Sequence, residues 1–284
     1  MEIITVMNYD SLQGITMCKA WFYLMNRFNP NANIKVFYKD KICGIHEFGS
    51  RFPNVEFIEL DYDGNFLTHE KMKGHIVPSQ DLTLATWRWV EEHNFNKFLC
   101  VEADAWVLAP LDDLWKIADE RPFIGVEEKN YEDAPMVNTG VYSYNADDGF
   151  ISYTRLMDQY RQDGMIRRAL GDQWLVNACL RKSNYDFSHP KVGFEYNCIA
   201  FECDVREVND NEIVIYSATN RPWSKVYTDG TQSRVPRGIR SWSWWGQPRR
   251  VKVLHSWYKK FWQLPECQKL WDYCVNKVNE IEHV

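Results

Sequence analysis

KFLCVEADAWVLAPLDDLW, residues 97–115, places two carboxylates, Glu102 and Asp104, just past a hydrophobic run. Lys97–Val101 reads as a short buried strand. In open α/β sheets the ligand crevice lies outside the carboxyl ends of the strands. Two acids separated by one residue point the same way while the backbone stays extended. Such a pair attracts a divalent cation, which is commonly shared between one or two protein carboxylates and the phosphates of a substrate. The alternative is a solvated turn at a strand end. The continuation, LAPLDDLW (108–115), predicts a short strand and then a helix from near Pro110.

Outward from this point the chain alternates β-rich and helical patterns. EIITVM (2–7), NIKVFY (33–38) and VEFIEL (55–60) read as strands. Between the first two, a helix capped by Asp10, with Gln13 three residues on, runs to Asn29-Pro30. A helix over 79–92 carries Leu82, Ala85, Trp89 and Val90 at helical spacing. The second half is more mixed. Strands are expected at 122–128, 136–145, 212–218 and 251–257, and helices at 148–162 and 172–182. After Pro265 the stripe Leu270, Trp271, Cys274, Val275, Val278 and Ile281 predicts a docked C-terminal helix. Strands alternating with helices imply an α/β fold with a mostly parallel, helix-flanked sheet. With no repeat, low-complexity segment or Pro/Gly linker, residues 1–284 read as one domain. Residues 1–115 form its first half, and 116–284 its second half with the terminal helix.

The composition is that of a globular chain, 45% hydrophobic and 25% charged. Its 13 Trp either fill the core or line a cleft. A net charge of −6 argues against a surface coated for nucleic acid, though not against a local basic patch. MEIITVMNYDSLQG does not read as a signal peptide, because its apolar run is short and an acid sits at position 2. No window reaches the ~18 apolar residues of a membrane span. The eight cysteines form no CxxC pair, so reduced thiols in a cytoplasmic setting are expected and a zinc site is not. No GxGxxG follows the first strand and no GxxxxGK[ST] occurs, which disfavours dinucleotide oxidoreductases and P-loop enzymes.

Several segments in this order resemble the GT-A glycosyltransferases, and in particular glycosyltransferase family 8. Glu102-Ala103-Asp104, followed by Leu111, Leu114 and Trp115, is similar to the family's D-x-D strand end. MVNTGVYSYN (136–145) is similar to its N-[ST]-G strand, with Asn138, Thr139, Gly140 and Asn145. GDQWLVNACL (171–180) resembles its D-Q-x-x-[LF]-N segment, with Asp172, Gln173 and Asn177. FEYN (194–197) resembles a short aromatic-Asn element, and VLHSWYKKFW (253–262) a late His motif ending in Lys-x-Trp. The chain departs from the pattern in three ways. Glu replaces the first Asp, Ser256 and Tyr258 stand where an aromatic and a Gly are usual, and Lys260 is one residue closer to His255. Phosphatases of the haloacid dehalogenase type also place an acid pair after a strand. Theirs begins with an Asp nucleophile near the first strand, whereas Glu102 follows the fourth.

The resemblance implies a Rossmann-like GT-A domain that moves a hexose from a UDP- or GDP-sugar to an acceptor hydroxyl, such as a glycan's, with retention. Asp104 and His255 are then ligands of Mn²⁺ or Mg²⁺, with Glu102 a second carboxylate ligand or a ribose contact; an imidazole ligand favours Mn²⁺. The alternative for His255 is a hydrogen-bonded strand-end histidine. Asp172 and Gln173 face the donor sugar at the reacting carbon, or Asp172 simply caps a helix. Asn138, Thr139 and Gly140 line the sugar site. Asn8 and Tyr9 contact the nucleoside, or belong to a helix cap. Arg88 and Lys260 reach the diphosphate, beside Lys259 or with Lys259 simply solvated, and Trp262 walls the site or anchors the final helix. An inverting reaction instead requires a carboxylate base, for which Asp133 and Glu195 are candidates.

From Gly230 to Pro265 there is no acidic residue, while Arg and Lys alternate with Trp. Three readings remain open: a loop closing on the diphosphate, a surface for an anionic or glycan acceptor, or a nucleic-acid contact. The last suits a glycosyltransferase acting on a hydroxylated DNA base. A non-catalytic carbohydrate-binding relative of the fold is a further alternative.

Overall fold

β1 (Glu2–Val6) sends Ile3 to one face of a sheet and Ile4 to the other, and two hydrophobic layers grow from that alternation. The computed structural model describes residues 1–9, 12–39, 43–61, 78–107, 109–120, 123–128, 136–146, 150–162, 171–187, 198–199, 214–216 and 265–283. The layer below Ile3 is built from α1 (Leu12–Phe28), α2 (Cys43–Gly49) and a C-terminal helix α7 (Pro265–Glu282). The layer above Ile4 is built from α3 (Pro78–Glu92), α5 (Tyr153–Gln162) and α6 (Gly171–Lys182).

The sheet between them has the order β3-β2-β1-β4-β7-β6. β2 (Asn33–Tyr38), β3 (Val55–Glu59) and β4 (Lys97–Val101) run parallel to β1, with Ile4 opposite Lys35 and Cys100. β7 (Met136–Asn145) is antiparallel to β4, pairing Cys100 with Tyr142. β6 (Phe123–Glu128) is antiparallel to β7, with a bulge between Gly125 and Glu127. One reversed strand in an otherwise parallel sheet agrees with the expected mostly parallel architecture. A smaller sheet joins β5 (Ala105–Val107), β9 (Val214–Tyr216) and β8 (Cys198–Ile199) in the order β5-β9-β8. α4 (Asp112–Ile117) follows β5.

Local chemistry sets the ends of the helices that matter for the site. α3 ends with Asn94 at φ 49°, and α6 with Asn184 at φ 55°. In each case the next residue's N–H reaches back five positions, Phe95 to Val90 and Tyr185 to Leu180, at 2.9 and 3.0 Å. These are Schellman endings, with Asn in the left-handed conformation it tolerates better than most residues. α5 begins at Tyr153 rather than near 148, because Ser152 caps it: its Oγ accepts the Arg155 N–H at 3.2 Å.

α7 lies against α1, burying Cys274 and Val278 and bonding Tyr273 to Tyr23 through their hydroxyls at 2.8 Å. Trp21, Trp87 and Trp106 are buried; Trp21 and Trp106 serve the core, and Trp87 lies between the core and a cleft. Among the described residues no helix is long and apolar enough to cross a membrane. The strand expected at 251–257, the capping residue Asp10 and the FEYN element lie outside the described residues.

Candidate active site

The carboxyl ends of β1 and β4 open into a pocket of about 360 Å³. β1 contributes Ile4 and Val6, and the chain beyond it Asn8 and Tyr9. α3 contributes Leu82, Thr83, Thr86 and Trp87; β4 and its turn contribute Cys100, Glu102 and Ala103. Thr139 and Tyr142 come from β7, and Asp172 and Val176 from α6. Pockets of this size, largely apolar with a few convergent polar groups, are typical ligand sites.

Beyond β4 the backbone does not stay extended. The Ala105 N–H donates to the Glu102 carbonyl at 2.9 Å, closing a tight turn that carries the chain from the large sheet into β5. The Glu102 N–H donates to the Gly140 carbonyl at 2.8 Å, tying that turn to β7. Glu102 consequently lines the pocket, whereas Asp104, 5% exposed, is buried and lies outside its described lining.

The opposite wall is set by two side-chain amides of α6. Asn177 is fully buried and grips Val137 on both sides of its backbone: Oδ1 accepts the Val137 N–H at 2.7 Å, and Nδ2 donates to the Val137 carbonyl at 2.8 Å. Nδ2 also donates to the Gln173 carbonyl at 2.8 Å. One turn earlier, Gln173 Oε1 accepts the Thr139 N–H at 3.3 Å. Asn138 turns inward, its Oδ1 accepting the Gly140 N–H at 2.8 Å. These bonds fix the segment 137–140 against the first turns of α6, and thereby Thr139 against Asp172.

Asp172 stands in the first turn of α6, where its own backbone N–H and that of Gln173 donate to its carboxylate. Burial raises its pKa above the ordinary 3.8, and those two bonds pull it back only in part. Beneath it, Tyr142 bonds to Cys100 across the β4–β7 ladder. Burial raises both acids, and the charges of Glu102 and Asp172 raise them further. The two carboxylates therefore converge over the same floor. Cys100 is held as a thiol.

Of the residues singled out in the sequence, Asn8, Tyr9, Glu102, Thr139 and Asp172 line the one pocket. Asn138, Gly140 and Gln173 flank it through the bonds just given. Arg88 is placed elsewhere: its guanidinium donates to the Asp61 carbonyl and lies 3.9 Å from Glu92. His255, Lys259, Lys260, Trp262, Asp133, Glu195 and the basic stretch 230–265 belong to segments outside the described residues, apart from Pro265. Among the described residues no group of three or more His, Cys, Asp or Glu is gathered around a metal position. Sequence reasoning did not find Thr83, Thr86, Cys100 and Tyr142. Cys100 was discoverable from its position near the end of β4, two residues before Glu102; the threonines carry no such signal.

No known protein family matches the chain by sequence, and no curated relative does either. Solved structures do match. The glycosyltransferase GlyE of Streptococcus pneumoniae TIGR4 aligns over 93% of this chain at 15% identity, with a TM-score of 0.55. This chain spans 64% of the length of that structure. The galactosyltransferase LgtC, solved with donor and acceptor sugar analogs, aligns over 90% of this chain and 96% of its own, at 13% identity and a TM-score of 0.54. An active-site variant of LgtC aligns over 89% of this chain and 100% of its own, at 12% identity and a TM-score of 0.54. The sheet order, the flanking helices and these alignments together establish that the chain has the GT-A fold of these glycosyltransferases.

Proposed function

We propose that the chain is a metal-dependent glycosyltransferase that moves a hexose from a UDP- or GDP-sugar to an acceptor hydroxyl, with retention of configuration. The observation that carries this reading is the convergence of Asn8, Tyr9, Glu102, Thr139 and Asp172 on one pocket at the carboxyl ends of the strands. The shared fold of GlyE and LgtC supports it, and LgtC has been solved with donor and acceptor sugar analogs.

The donor set suits a hard divalent cation: oxygen ligands, one in the pocket and one on the same turn. Glu102 and Asp104 are assigned to hold Mn²⁺ or Mg²⁺, with His255 as a further ligand. When bound, the ion neutralises the diphosphate as it departs. Asn8 and Tyr9 hold the nucleoside, and Thr139, Asn138 and Gly140 the sugar. Gln173 and Asp172, fixed against β7, set the sugar's reacting carbon. The bond from that carbon to the phosphate oxygen breaks, a bond to the acceptor oxygen forms, and the acceptor proton passes to the departing phosphate. Lys260 and Trp262 are assigned to the diphosphate end. Residues 1–115 are the nucleotide-sugar half and 116–284 the acceptor half, in a cytoplasmic protein.

The test is thermal unfolding of the full chain with UDP- and GDP-sugars, with and without MnCl₂. A ligand at 100 times its Kd stabilises the fold by about 2.7 kcal/mol. At least one nucleotide sugar raises the melting point only in the presence of Mn²⁺, and Asp104→Ala abolishes that rise. A rise that persists unchanged in the variant contradicts the metal assignment.

A further inference from the structure

Building on the glycosyltransferase reading, we propose that the pocket accepts an uncharged sugar and that Thr86 is a specificity-determining residue for it. Thr86 stands mid-way along α3, is 4% exposed, and lines the pocket. Its Oγ1 is buried and makes no hydrogen bond. A threonine inside a helix ordinarily gives its hydroxyl to the carbonyl four residues back. Here that bond is not made, and the hydroxyl remains available to whatever enters the pocket. Across from α3, at the end of β1, the Oδ1 of Asn8 is likewise buried without a hydrogen-bond partner. A buried polar atom left unbonded is unfavourable, and a ligand that bonds to it recovers that cost.

The charge around these two atoms decides what kind of ligand does so. The described lining holds two carboxylates, Glu102 and Asp172, and no Lys, Arg or His. With Glu102 given to the cation and Asn8 to the nucleoside, the acceptor left to the sugar is the Asp172 carboxylate. A ligand rich in O–H groups donates to it, and the Thr86 hydroxyl can donate to or accept from the same ligand. A neutral hexose has this chemistry. A uronic acid places a second carboxylate beside Asp172, where like charges repel in a poorly solvated site. The sugar class is therefore set by one anionic acceptor, Asp172, and one neutral hydroxyl, Thr86, in the same pocket.

Calorimetric titration of the full chain in MnCl₂ tests this with UDP, UDP-glucose, UDP-galactose and UDP-glucuronic acid, and with GDP and GDP-mannose. At least one neutral nucleotide sugar binds more tightly than its bare diphosphate, and UDP-glucuronic acid binds no more tightly than UDP. Thr86→Val lowers the affinity added by the sugar about tenfold, the equivalent of one hydrogen bond. It leaves the bare diphosphate within about twofold, and Thr86→Ser retains the wild-type preference. UDP-glucuronic acid binding as tightly as UDP-glucose overturns the proposal without any variant. So does an undiminished sugar increment in Thr86→Val. If no nucleotide or nucleotide sugar binds the wild type, the glycosyltransferase reading itself fails, and this inference with it.

Discussion

Replacing Asn177 with Ala removes the clamp between α6 and β7. The side chain is fully buried and makes three bonds at 2.7–2.8 Å, two of them to the N–H and carbonyl of Val137. The two Val137 bonds are buried, so the variant leaves that N–H and that carbonyl without their Asn177 partner, whereas the Gln173 carbonyl is only part-buried. At about 1–3 kcal/mol per orphaned group, the loss is near 4 kcal/mol. For a chain of this size that lowers the melting temperature by roughly 8–16 °C. Asn177→Asp separates the roles of the two ends of the amide. It keeps an acceptor for the Val137 N–H, but it cannot donate to either carbonyl, and it buries a charge. It is expected to be at least as unstable. Urea and thermal unfolding of the three proteins give the stabilities directly. The clamp also fixes Thr139, two residues along the strand, so nucleotide-sugar affinity should fall even at temperatures where the variant remains folded. An Asn177→Ala protein within about 1 kcal/mol of wild type would refute the assigned role of these bonds.

Other consequences follow from the same geometry. Because burial holds the pKa of Asp172 above 3.8, its native state keeps a proton that the unfolded chain releases, and stability falls as pH rises through that window. Asp172→Asn should therefore be more stable than wild type at neutral pH, the difference closing below about pH 3.8 in pH-dependent unfolding, while turnover is lost. Cys100, raised by burial and by Glu102, should react with iodoacetamide far more slowly than exposed Cys43; peptide mapping that finds equal rates would contradict its placement. A Cβ on Gly125 would lie 2.3 Å from Val137 Cγ1, so Gly125→Ala should cost about 1–3 kcal/mol in urea unfolding.

Most of the large sheet was legible because its strands carry apolar runs that helices must cover on both faces. Lys97–Val101 and Met136–Asn145 occur at the expected residues. The reversal of β7 was not legible: a strand buried on both faces has the same pattern in either direction. α2 was missed because CGIHEFG is short and carries a Gly near each end, the pattern of a loop. For the site, the strand-end position of Glu102 and the paired amides Gln173 and Asn177 pointed to the pocket at the carboxyl ends of β1 and β4. The turn after Glu102 did not show in the sequence, because Ala103-Asp104 fits an extended continuation equally well. It is the Ala105-to-Glu102 hydrogen bond that separates the surroundings of the two acids. The pocket's threonines were overlooked because a Thr on a helix has no charge or spacing that marks it as a contact.

The central claim is that Glu102 and Asp104 hold a divalent ion that carries the donor's diphosphate. Its most direct test is release of nucleoside diphosphate from UDP- and GDP-sugars by the purified chain, with MnCl₂ and with EDTA, beside Glu102→Gln and Asp104→Asn. Release is expected to require Mn²⁺ and to be lost in both variants, with their melting points in the absence of ligand preserved. Release that continues in EDTA, or at the wild-type rate in both variants, would contradict it.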